Sequence, residues 1–99
     1  MRLVLSTEFP FENLEGEVKC IITKLSHPTA RLITKMAKQE HRFYHMVCDS
    51  ETAKTLSELL EIELSLTAGV YNRKYYRFKE GDMILLYRGN NFYLIEVIE

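Results

Sequence analysis

The chain has 99 residues, 46% hydrophobic and 27% charged, with 13 basic against 14 acidic side chains and a net charge of -1. That length suits one domain, 1–99, around a single core, and the apolar content is too high for a disordered segment. The near-neutral balance excludes a generally basic nucleic-acid-binding chain, so any such role must come from a local patch.

Met1–Ser6 has too short an apolar region for a signal peptide, and no run approaches the ~18 apolar residues of a membrane span. Cys20 and Cys48 lie far apart in apolar, strand-like runs. They are expected as buried, reduced thiols of an intracellular protein, and a disulfide between them stays open. The expected setting is cytoplasmic, with no membrane partner.

Arg2–Ser6 is apolar and β-rich, which suits a strand buried on both faces. Thr7–Gly16 reads as a loop, broken by Pro10, with Phe9, Phe11 and Leu14 apolar enough to tuck under a sheet. Glu17–Leu25 alternates and reads as a second strand. Ser26 or His27 caps a helix with Pro28 in its first turn, where a missing N–H costs little. Ala30, Ile33, Met36 and Ala37 form its expected buried stripe, while Arg31, Lys35 and Lys38 face water.

Phe43–Cys48 reads as a short third strand, and Ser50–Ile62 as a second helix with Ala53, Leu56, Leu59 and Leu60 inward. After a connection over Leu64–Val70, Tyr71–Phe78 and Met83–Arg88 read as a hairpin-like pair joined through Lys79–Asp82. Gly89-Asn90-Asn91 then signals a tight turn into Phe92–Ile98. The order β-β-α-β-α-β-β-β predicts an α+β domain, a mixed five- to six-stranded sheet with two helices packed against it.

Tyr71–Lys79 carries four basic residues, four aromatics and no acid. On a strand, Tyr71, Arg73, Tyr75 and Arg77 share one face, an arrangement able to stack bases and pair phosphates. A plain solvated strand face fits the same residues. His41 and His45 on a strand would sit ~13 Å apart, too far for one metal ion. No metal and no cofactor is expected. Asp49-Ser50-Glu51-Thr52 offers capping oxygens and free N–H groups, but its acids would repel a phosphate. No phosphate-loop, zincin, nucleophile-elbow or paired C-x-x-C motif occurs.

Thr52, Ala53, Leu56, Leu59 and Leu60, then Asn72-Arg73 and Gly81-Asp82, form a pattern of specific residues within Val47–Asp82. Phe9-Pro10, Thr23-Lys24-Leu25 and Phe92-Tyr93 with Glu96-Val97 are compatible with it. The pattern resembles a family of small proteins from archaeal viruses and some bacteria whose viral members include the anti-CRISPR ring nucleases. There a strand ends in G-H-x-S-T and opens a helix. The resemblance implies a homodimer that binds cyclic tetra-adenylate across its interface and cleaves it without metal, the adenosine 2′-hydroxyl attacking the adjacent phosphate. His and Arg side chains move the proton and stabilise charge there.

The chain departs from the pattern where the chemistry is done. Cys48-Asp49 stands where the family has Gly-His, and Glu51 replaces the motif serine. The segment between the last two strands is shortened to Arg88-Gly89-Asn90-Asn91, where Arg88 stands in for the family's loop arginine. His45 and Arg88 are therefore the candidate catalytic residues. Asn72, Arg73 and Arg88 are the candidate phosphate grips, with Tyr71 or Tyr75 stacking on a base. Two readings stand. One is a homodimeric regulatory or anti-defence protein that binds a cyclic oligoadenylate or other nucleotide without efficient cleavage, leaning away from enzyme. The other is an unrelated α+β module that binds a host protein or a nucleic acid.

Overall fold

In the computed structural model, which describes residues 2–8, 19–47, 49–64 and 81–98, the sheet is built around β1 (Leu3–Ser6). All four of its residues are buried, as an apolar run between two neighbours requires. Those neighbours are β3 (Phe43–His45) and β4 (Met83–Arg88), both parallel to it. Beyond β4 come β5 (Asn91–Ile98) and then β2 (Lys19–Leu25), both pairs antiparallel, giving the order β2-β5-β4-β1-β3. Two helices, α1 (His27–Gln39) and α2 (Ser50–Leu60), pack on one face. The expected α+β class and the mixed sheet with two helices are what the structure has. The expected strand at Tyr71–Phe78, the loop residues Phe9, Phe11 and Leu14, and Cys48 lie outside the described residues.

The β4–β5 turn explains its own sequence. Gly89 and Asn90 both have positive φ, +58° and +63°, and Arg88 pairs with Asn91. That is the two-residue turn whose twist matches the strands it joins, and glycine and asparagine adopt it at least cost. The Tyr87 hydroxyl donates to Asn90 Oδ1 at 3.0 Å, and His27 Nε2 lies 3.0 Å from the Asn90 carbonyl oxygen.

The core lies between the helices and the near face of the sheet. Leu3, Leu5, Leu85 and Phe92 meet Ala30, Ala37, Val47, Ala53, Leu56 and Leu60. α1 departs from expectation here: Thr34 is buried and Met36 is 47% exposed. Thr34 Oγ1 donates to the Ala30 carbonyl at 2.8 Å, so its polarity is satisfied inside the helix. The small face Ala30–Thr34–Ala37 lets the helix sit close, and Met36 is turned to its margin. The other expected thiol, Cys20, is free and half-buried.

α2 ends at Leu60, earlier than the expected Ile62, because Glu61 turns left-handed at φ +53°. Three cations expected to face water hold that end. Lys35 Nζ bonds Glu61 at 3.1 Å, Arg31 Nε donates to the Leu59 carbonyl at 3.2 Å, and Lys38 Nζ to the Glu63 carbonyl at 3.2 Å. Positive charge at a helix C-terminus, on carbonyls with no partner in their own helix, is favourable.

Both ends of α2 carry carboxylates held below their ordinary range. The Thr52 hydroxyl and backbone N–H depress Asp49, and the Lys35 bond, then the charges of Lys35 and Arg31, depress Glu61. A depressed folded pKa gives stability that is present above the unfolded value and lost as pH falls through the folded one. The melting gap between wild type and an Asp49→Asn/Glu61→Gln pair should therefore be open at pH 6 and close below about pH 4. A gap that persists unchanged at pH 3 contradicts this.

Asp82 is 3% exposed just before β4 and accepts from Arg2 Nε at 3.1 Å, with Arg2 Nη2 on its second oxygen. The pair ties the starts of β1 and β4, a structural use for one residue of the Gly81-Asp82 match. No described helix is long and apolar enough to cross a membrane.

Candidate functional site

The carboxyl ends of β1, β3 and β4 lie on one side of the sheet, and α2 begins just past the end of β3. In sheets with parallel strands this is where ligands commonly bind. The residue at the head of α2 is Asp49. Its Oδ2 accepts from Thr52 N at 2.9 Å and from Thr52 Oγ1 at 2.7 Å, so the side chain is the helix cap. A fixed negative charge occupies the place where a helix N-terminus would otherwise attract phosphate. The same bonds keep Asp49 ionised, so near neutral pH it has no proton to give and is a weak base.

His45 ends β3 on the helix side of the sheet, level with Leu5. The Val47 backbone N–H donates to its Nδ1 at 3.3 Å. A ring nitrogen accepting that bond carries no proton, so the neutral ring bears its hydrogen on Nε2. Part of His45 is thus engaged in shaping the turn from β3 into α2.

Arg88 ends β4 on the opposite face. It is exposed and lines a groove of about 280 Å³ with Ile22, Leu86 and Tyr93. Arg88 lies two residues past Leu86, which pairs with Ser6, and His45 is level with Leu5, one strand beyond β1. At strand spacings of ~4.8 Å and rises of ~3.3 Å per residue, Arg88 and His45 stand roughly 14 Å apart along the backbone lattice. The two candidate catalytic residues are therefore not brought together within this one chain. Tyr71, Asn72, Arg73 and Tyr75 lie outside the described residues.

Sequence reasoning missed the company Arg88 keeps. Tyr93 pairs with both Leu86 and Lys24, so Tyr93 and Lys24 share Arg88's face. The turn at Gly89-Asn90 fixes the register that brings Tyr93 near Arg88. No local signal announces that β2 lies beside β5.

The helix side has a second feature. Ile21, Leu32, Met36 and Ile98 are exposed, and Met36 lines a groove of about 160 Å³ with Leu3, Ile33, Arg42, Met83 and Leu94. Among the described residues no group of three or more His, Cys, Asp or Glu side chains is placed to hold a metal.

No family model matches the chain, and no curated protein matches it. Among solved structures, B116 of Sulfolobus turreted icosahedral virus (STIV) superposes with a TM-score of 0.78. The match covers 97% of this chain and 99% of that one, at 16% identity. Likeness over nearly both whole chains at so low an identity means that the fold, with its central parallel strands and two helices on one face, is shared with that virus protein.

Proposed function

We propose that this chain is a small regulatory protein of archaeal-virus type, a homodimer acting in the host-cell interior, that binds a cyclic oligoadenylate or related nucleotide without cleaving it efficiently. The observation that carries this reading is Asp49. It stands where the resembling family has its catalytic histidine, and it is an ionised cap bonded to Thr52. Attack by a 2′-hydroxyl needs one group to take a proton and another to deliver one to the leaving oxygen. A low-pKa carboxylate does neither well at neutral pH. Arg88 keeps a cation for phosphate at the end of β4, and the fold shared with a Sulfolobus virus protein supports the viral setting.

The test mixes the protein with cyclic tetra-adenylate in chelator-treated buffer and follows heat of binding and ligand integrity together. Saturable binding with intact ligand after hours is the expected result. Multiple-turnover cleavage would overturn the non-cleaving part, and absence of binding would sink the nucleotide reading.

A second reading, a protein-interaction module, is favoured by the exposed Leu32, Met36, Ile21 and Ile98. Such a module would bind neither cyclic nucleotide nor nucleic acid with an affinity that falls steeply with salt.

A further inference from the structure

The face of the sheet away from the helices ends in a small amphiphilic groove. Ser6, Leu86, Tyr93 and Lys24 form one row across β1, β4, β5 and β2, and Val4, Ile84, Ile95 and Ile22 form the next. The inner members of the second row are fully buried, whereas Ile22 is 51% exposed at the groove. Ile22 and Leu86 supply an apolar floor, Tyr93 a ring, and Arg88 a guanidinium at the mouth.

Among the described residues, Arg88 and Lys24 are the cations on this face beside the groove. Among the described residues neither Arg88 nor Lys24 is held by a hydrogen bond or ion pair. The strand acid Glu96 is level with Ile21 and so lies on the helix side. Asp82, at the far end of β4, is taken by Arg2. Glu8, two residues beyond Ser6 and past the end of β1, is exposed. Two cations beside an apolar floor, with no acid between them among the described residues, complement an anion carrying an apolar body.

Size narrows the class. At about 280 Å³ the groove falls just below the ~300–1,000 Å³ of ligand sites. It admits one planar ring with its acid group, and a cyclic tetranucleotide is several times too large.

We propose that this groove binds a small aromatic anion, one ring system bearing a carboxylate or phosphate. The ring lies on Ile22 and Leu86 beside Tyr93, and the acid group sits between Arg88 and Lys24. The site goes beyond the nucleotide reading above and does not rest on it.

Neighbouring residues supply the test. Ile21 and Ile22 are almost equally exposed, 48% and 51%, on opposite faces of β2. Calorimetric titration uses indole-3-acetate and adenosine monophosphate as the two anion sources, with indole and adenosine as neutral controls. At least one anion should saturate below about 5 mM, in keeping with the ligand efficiency of so few atoms, and bind at least about fivefold tighter than its neutral control. Which anion binds identifies the source as an aromatic carboxylate or a mononucleotide. Ile22→Glu sets a carboxylate in the groove and should weaken binding at least about tenfold, while Ile21→Glu leaves it within about twofold.

Lys24→Gln, at an exposed position, should weaken binding about threefold or more and keeps the test open if Ile22→Glu folds poorly. The proposal is overturned if neither anion saturates, if Ile22→Glu and Ile21→Glu act alike, or if a folded Ile22→Glu binds as wild type does. Cyclic tetra-adenylate titrated into the wild type separates the two proposals: its failure to bind, with a small anion saturating as above, sinks the nucleotide reading and leaves this site standing.

Discussion

Phe92→Ala should lower stability by about 3–5 kcal/mol, a large part of the ~5–15 kcal/mol that holds a domain folded. Phe92 is fully buried and joins parts of the chain that are distant in sequence. In the sheet it lies directly between Leu25 of β2 and Tyr87 of β4. Its ring meets His27, at the start of α1, edge-on at 5.2 Å, and Tyr87 at 4.9 Å. Alanine would leave a cavity bordered by two strands and a helix N-terminus, with little freedom to collapse because the turn at Gly89-Asn90 pins β4 to β5. In thermal unfolding followed by circular dichroism, the midpoint should fall by about 15–25 °C. Phe92→Leu, which keeps most of the volume, should lose less than half as much. A fall of under 5 °C for alanine would mean that the hairpin and α1 are not joined through this ring.

Phe92 also marks the limit of what local pattern reveals. The strand that contains it, the turn before it, and the Ser26 and Asp49 caps are legible because each depends on a few neighbouring residues. Glycine and asparagine tolerate positive φ, and a short side-chain oxygen reaches an unpaired N–H. The run Leu3-Val4-Leu5 reads as doubly buried for a similar reason. Where strands pair is another matter. That β1 lies between β3 and β4, and β2 at the outer edge beside β5, depends on which faces complement one another across the whole chain. α1 shows the same limit, since burying Thr34 in place of Met36 depends on how closely the helix approaches the sheet. Arg31, Lys35 and Lys38 read as solvated because the groups they bond, the Leu59 and Glu63 carbonyls and the Glu61 carboxylate, lie at or past the end of another helix. In the groove, Arg88 was legible as a cation ending a strand. Tyr93 follows from the turn at Gly89-Asn90, whereas Lys24 became its neighbour only through the β2–β5 pairing. Tyr71, Asn72, Arg73 and Tyr75 lie outside the described residues.

Asp49→His is the substitution expected to change activity most. It places an imidazole at the head of α2, where the ring-nuclease resemblance has its histidine. The positive end of the helix disfavours the protonated ring, so the imidazole is neutral and able to accept a proton near pH 7. If the bound cyclic oligoadenylate presents a 2′-hydroxyl there, metal-free cleavage should rise at least about 10²-fold over wild type, the usual scale of a positioned general base. The rate should climb with pH through the imidazole range and then level. Asp49→Asn is the control: it keeps a capping oxygen and supplies no base, so ligand should stay intact. Histidine is the poorer cap, so Asp49→His should melt somewhat lower than Asp49→Asn, and folding is checked before activity is read. Cleavage by the histidine variant alone would mean that a nucleotide site persists in this chain with its proton-transfer group replaced. A folded histidine variant that binds cyclic tetra-adenylate and leaves it intact would place the bound phosphate away from the head of α2. The search for the reacting end of the ligand would then turn to Arg88, on the opposite face of the sheet.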